Sequence, residues 1–244
     1  MSLFKIKTGA DPLNNNDPEE MLRWDQNRML EIHEAVKDIR TPDTVCGHVL
    51  YYVDANGRYD TKERLQAFLD FAEEKGFLDR IVLVEEPFDE SNKTDVRDLP
   101  VCIAADESAH SLEDVQERFA LGYRALTLKP IAKTLSMTIR MAEFAREQGM
   151  ICLCADLTVN PVMLSWNHCV ASRLKPIPQM KLAALESNGE QNYLNWQTIW
   201  GYHPCSSNPL VTYEQGVFRL KEGFHAHSGG VFQQSEHFLR LFDA

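Results

Sequence analysis

The sequence predicts an α/β fold of the TIM-type (β/α) barrel class, and three observations carry that prediction. Short apolar runs alternate with amphipathic stretches through most of the chain, the pattern of parallel strands joined by crossover helices. Three successive runs each deposit acids at their C-terminal end: His48–Val53 runs into Asp54-Ala55-Asn56-Gly57, Ile81–Val84 into Glu85-Glu86-Pro87, and Val101–Ala105 into Asp106-Glu107-Ser108. The length of 244 residues is close to the roughly 250 of such barrels, in which the C-terminal strand ends form one mouth where the active site is built. Three acids delivered to that mouth converge on one cation.

The first strand is Leu3–Lys7, in which side chains two apart share a face, so Lys5 and Lys7 point the same way. Alone, that pair reads as solvated lysines of a polar edge strand; beside strands that end in acids it reads as part of a site. Asp17-Pro18 opens a helix, with aspartate as cap and proline at the first helical position, that runs to about Ile39. Met21, Trp24, Met29, Ile32 and Val36 recur at helical spacing and predict its inner face. A second helix runs from Thr61 to Lys75-Gly76, a third from Ser111 to Leu121, and a fourth from Thr134 to Gln148.

Tyr123–Leu128 is a strand that ends in Lys129-Pro130, placing a cation where its predecessors place acids. Met150–Cys154 follows, with Asp156 at its tip, and Asn160-Pro161 opens a helix containing Trp166 and His168, where His168 is expected to pack rather than bind a ligand. A last strand is expected near Met180–Leu185, ending in Glu186-Ser187-Asn188-Gly189. Beyond Glu190 the alternation stops, and Pro209–Leu220 reads as a β-hairpin. The organisation expected is a barrel domain over 1–190 and a C-terminal segment over 191–244.

A formal charge of −11 argues against nucleic acid and anionic membranes as partners. The six cysteines lack the paired spacing of a zinc site and are expected to be buried thiols. Without a membrane-length apolar run or a secretory leader pattern, the expected location is cytoplasmic.

Lys-x-Lys at 5–7, Asp-x-Asn at 54–56, Glu-Glu-Pro at 85–87, Asp-Glu-Ser at 106–108 and the strand-ending Lys129 occur in an order that resembles the barrel of the enolase superfamily. The resemblance is greatest to the mandelate racemase/muconate lactonizing enzyme-like branch that holds muconate-lactonising enzyme, o-succinylbenzoate synthase and dipeptide epimerases. It implies Asp54, Glu85 and Asp106 as ligands of Mg²⁺, Lys7 and Lys129 as the acid/base pair on opposite sides of a small carboxylate substrate, and Lys5 as a supporting lysine. Asn56, Glu86 and Glu107 fall near the site, and Asp156 and Glu186 at tips that define the substrate. The implied reaction is abstraction of a proton α to the carboxylate through a metal-stabilised enediolate, giving racemisation, epimerisation or cycloisomerisation. Acid-sugar dehydration is the alternative within that chemistry. A Schiff-base aldolase using a barrel lysine, and a degenerate barrel that retains only an ion site, are the alternatives outside it.

The chain departs from the family pattern at its start, where the N-terminal cap domain and the first barrel strand are expected but Lys-x-Lys comes at once. The C-terminal hairpin normally packs on that cap. An open sheet edge then predicts a homo-oligomer. The tip Glu186-Ser187-Asn188 lacks the Asp-x-Asp typical of dipeptide epimerases, which disfavours that activity.

Overall fold

The structure is a computed structural model and describes residues 2–242. Six strands form one sheet in chain order: β1 (Leu3–Lys7), β2 (Leu50–Asp54), β3 (Ile81–Glu85), β4 (Ile103–Ala105), β5 (Ala125–Leu128) and β6 (Ile151–Cys154). The pairs from β1 to β5 are parallel. β2 and β3 are buried at every position, as strands covered on both faces must be, and this is why they read as continuous apolar runs. Parallel strands in chain order, each followed by a return connection, make a half-barrel of the (β/α) class from six strands.

The helices start where their side chains can cap them. Asp17 accepts from the Glu19 and Glu20 amides at the head of α1 (Pro18–Val36), and Thr61 from the Arg64 amide at the head of α2 (Lys62–Glu74). Ser111 and Asp114 exchange hydrogen bonds in a capping box that opens α3 (Leu112–Ala120). Asn160 caps α5 (Pro161–Ala171), which follows α4 (Leu135–Glu147) and β6. No α-helix joins β3 to β4; the buried Arg118 guanidinium binds the Glu90 and Asn92 carbonyls there and fixes that connection.

Two expectations need correction. Met29 is buried on α1 as expected, but the rest of its buried face is Leu22, Asp25 and His33, each one residue past the expected Met21, Trp24 and Ile32, and Trp24 is 46% exposed. The strand expected at Met180–Leu185 does not form as a strand. Met180 makes one antiparallel bridge to Thr44, and Leu185 one parallel bridge to Cys154. The Lys181 amide binds the Asp43 carbonyl, while the Ala184 carbonyl and Glu186 amide bind Cys154, so the two ends of the segment are committed to different partners and no ladder can extend between them.

The chain divides into two compact units. The first comprises 1–127, 139–152 and 176–182. Its core is made by the strands with Met29, Leu65, Phe68, Leu69, Ala72 and Phe77, all fully buried. Each of the larger of these side chains contributes about 1.5–3 kcal/mol by leaving water, the Ala72 methyl less. The second comprises 128–138, 153–175 and 183–244, with Val159, Leu164 and Trp196 at its centre. It contains the hairpin β7 (Val211–Glu214) and β8 (Val217–Leu220), turned through Gln215 and Gly216, both at positive φ as a tight hairpin turn demands. His168 packs edge-on against Phe218 at 4.4 Å, and burial pushes its pKa down to about 4. Among the described residues no helix is long and apolar enough to cross a membrane. All six cysteines are free thiols, but against expectation only Cys154 is buried; Cys102, Cys152, Cys169 and Cys205 are half-buried and Cys46 is exposed.

Candidate active site

Strand register assembles the site. Lys7 lies beside Asp54 and Asp54 beside Glu85, so three charged strand ends stand in one row within the first unit. Glu85 pairs with Ala104, and Asp106 follows just past the end of β4. Side chains of one parallel row point to the same face of the sheet.

Carboxylate oxygens of Glu85, Asp106 and Glu107 lie within 4.8 Å of one another, the group among the described residues able to hold a metal ion. Glu85 and Asp106 are buried. Burial pushes the Glu85 carboxyl well above the usual carboxylate range, Lys5 opposes the rise, and Asp106 and Glu107 add to it. Like charges gathered out of water are costly, and a dication relieves that cost with oxygen ligands of the kind magnesium prefers. The donor set therefore fits a hard divalent cation.

Asp54 is fully buried and stands next to this group rather than in it, with its Oδ2 held by Lys5 Nζ at 2.9 Å and Lys7 Nζ at 2.5 Å. Lys5 also reaches Glu85 at 3.3 Å and lies over the Tyr52 ring. Lys7 donates to Asn56 Oδ1 at 2.7 Å, and Asn56 Nδ2 donates to Glu107 Oε1 at 3.3 Å. The expected residues Lys5, Lys7, Asp54, Asn56, Glu85, Asp106 and Glu107 thus form one hydrogen-bonded and ion-paired neighbourhood.

Glu86 is the residue whose part the pattern of acids left undefined. Its Oε2 accepts from the Asp106 amide at 2.7 Å, the Ser108 amide at 3.1 Å and the Ser108 hydroxyl at 3.0 Å. It sits at φ 40°, a conformation that costs a non-glycine residue of order 1 kcal/mol and is tolerated where surrounding contacts demand it. Glu86 fixes the turn that presents Asp106. Asn56, at φ 45°, is bent in the same way just past β2.

The remaining expected residues belong to the second unit. Lys129 is half-buried just past β5, and its carbonyl accepts the Lys133 amide. Asp156 is buried, with Oδ1 accepting from the Leu157 and Val159 amides and Oδ2 from the Asn188 amide at 2.8 Å. Those bonds make it a brace between the tip of β6 and the turn at 188. Glu186 is half-buried, with its amide on the Cys154 carbonyl.

Solved structures share this fold. A mandelate racemase/muconate lactonizing protein from Herpetosiphon aurantiacus is 18% identical with a TM-score of 0.65, over 90% of this chain and 54% of that one. A dipeptide epimerase from Cytophaga hutchinsonii, complexed with Mg and a dipeptide, is 16% identical with a TM-score of 0.63, over 90% and 51%. A muconate lactonizing enzyme from Klebsiella pneumoniae is 18% identical with a TM-score of 0.61, over 88% and 52%. The chain spans about half the length of these relatives. No curated protein matches it. Residues 1–194, most of the chain, match the family described as enolase C-terminal domain-like, and the chain belongs to that family.

Proposed function

We propose that this chain carries the metal and acid/base machinery of a magnesium-dependent enzyme that removes the proton α to a substrate carboxylate, in a racemisation, epimerisation or cycloisomerisation. The observation that carries this reading is the assembly of Glu85, Asp106 and Glu107 within 4.8 Å, beside a row that sets Lys7 against Asp54. Family membership and the likeness to a dipeptide epimerase and a muconate lactonizing enzyme support the same reaction class.

In this reading Glu85 and Asp106 hold the ion with Glu107 at the same cluster, and Asp54, their neighbour on the strand row, joins them by turning from Lys5 and Lys7 toward the ion. Three carboxylates on a six-coordinate cation leave positions for water and a substrate carboxylate. Bound there, magnesium supplies positive charge to the carboxylate oxygens as the α-proton leaves. Lys7 Nζ takes or returns that proton on one face of the α-carbon, oriented by the Asn56 amide oxygen. By the family pattern Lys129, just past the end of β5, serves the other face. Lys5 keeps Asp54 and Glu85 together by ion-pairing both. By the family pattern Glu186 contributes to substrate choice, and Asp156 braces the turn at 188 through the Asn188 amide.

The test is solvent-proton exchange. With magnesium and a panel of small chiral carboxylic acids in D₂O, deuterium is expected at the α-position of both enantiomers of the substrate. Lys7→Ala and Lys129→Ala should each suppress exchange from one enantiomer by about 10²- to 10⁴-fold, the usual contribution of a general acid/base. Exchange that survives removal of both lysines contradicts the assignment.

A further inference from the structure

A buried acid lies outside the metal cluster and outside the assigned chemistry. Asp25, on the inner face of α1, is 1% exposed. Its Oδ2 accepts the Gly9 amide at 2.8 Å and the Tyr59 hydroxyl at 3.2 Å, and the Ala10 amide also bonds to the carboxylate. Gly9 lies two residues beyond Lys7, and Tyr59 three beyond Asn56, so one carboxylate ties the chain leaving β1 to the chain leaving β2.

Both ends of that tie are built for it. Gly9 is at φ 75°, and a side chain there would meet Arg58 Cβ at 2.3 Å and the Ala55 carbonyl at 3.2 Å; only glycine lets its amide reach Asp25. Tyr59 is buried, and its amide binds the Pro87 carbonyl beyond β3. Between Lys7 and Gly9, the Thr8 amide binds the Asp54 carbonyl at 2.8 Å. The backbone on which Lys7 stands is therefore fixed on one side by β2 and on the other by Asp25.

We propose that Asp25 is a positioning residue for Lys7: by holding the Gly9 amide and the Tyr59 hydroxyl together, it sets the strand end from which the Lys7 ammonium meets Asp54 and Asn56. The inference rests on the reading of Lys7 as an acid/base group, but its geometric content is independent of any reaction. A hydrophobic residue at position 25 would fill the core as well, which is why the apolar pattern of α1 passes over it. Taking a carboxylate out of water is costly unless hydrogen-bond partners meet it, and the partners that meet this one lie on the chain leaving β1 and the chain leaving β2.

The experiment reads Lys7 directly and needs no substrate. Native protein and variants are exposed to trace acetic anhydride, and labelling of Lys7 is measured by mass spectrometry against the exposed Lys175 as internal reference. Asp25→Ala is expected to change the Lys7-to-Lys175 ratio at least about threefold, because the ammonium loses its fixed partners; Asp25→Asn, which keeps an acceptor oxygen, should restore most of the native ratio. A ratio unchanged in Asp25→Ala, alongside a lower melting temperature, makes Asp25 a core residue only and overturns the proposal. If Asp25→Ala does not fold, Tyr59→Phe decides: loss of that hydroxyl should shift the ratio in the same direction, and a native ratio overturns the proposal. Failure of the deuterium-exchange experiment with a shifted labelling ratio would refute the function assigned to Lys7 and leave the positioning intact.

Discussion

Replacing Asp25 by Asn should change how stability depends on pH. Burial pushes the Asp25 pKa from its ordinary 3.8 up to about 6, against the pull of the Gly9 amide, the Tyr59 hydroxyl, the Ala10 amide and Arg28. Arg58 and Arg64 also border the small cleft above it, and Tyr59 is itself raised well above its usual range, so it stays a neutral donor. Because the folded value is above the unfolded one, the folded state binds more protons between the two. The stabilisation is fully present below about pH 3.8 and is lost as pH rises through about 6. A rise from 3.8 to about 6 corresponds to about 3 kcal/mol, of which about 2 kcal/mol falls between pH 4.5 and pH 8. Asn does not titrate, so the stability of Asp25→Asn relative to the native chain should improve by about that amount across the interval. Urea unfolding at matched pH values measures both, and taking the difference cancels the other titrating groups. A difference that stays flat from pH 4.5 to pH 8 would refute the claim that a buried carboxylate carries this tie.

Other outcomes follow from the same contacts. Glu86→Ala leaves the buried Asp106 and Ser108 amides without their acceptor and should cost about 3 kcal/mol in denaturant unfolding, with Glu86→Gln recovering part of it. An Ala variant as stable as the native chain would contradict the role given to Glu86. Since β1 forms an edge of the sheet, light scattering over a concentration series should show self-association, and a monomer at every concentration would argue against it.

Much of the site was legible because its residues sit where apolar runs stop. A fully buried parallel strand reads as unbroken hydrophobicity, and Asp54, Glu85 and Asp106 stand out because each ends or follows such a run. Spacing along one strand put Lys5 and Lys7 together for the same reason. Asp25 and His33 were hidden because periodicity counts apolar residues as inside and charged ones as outside. His33 is buried against Phe77 and binds the Tyr51 hydroxyl, and Asp25 is buried on its hydrogen bonds, so the inner face of α1 was placed one residue away. The run at 180–185 has strand composition, yet the Lys181 amide is taken by Asp43, a long-range bond that no local pattern encodes. Glu86 was visible as an acid but its task was not, since that depends on where the Asp106 and Ser108 amides arrive in space.

The most direct test of the account is a calorimetric titration of the chain with magnesium, repeated with Asp54→Asn, Glu85→Gln, Asp106→Asn and Glu107→Gln. One ion per chain is expected, with a loss of affinity of at least about tenfold, roughly 1.4 kcal/mol, for Glu85→Gln and for Asp106→Asn, and a measurable loss for Asp54→Asn and Glu107→Gln. No binding of magnesium by the native chain, or undiminished binding by Glu85→Gln, would contradict it.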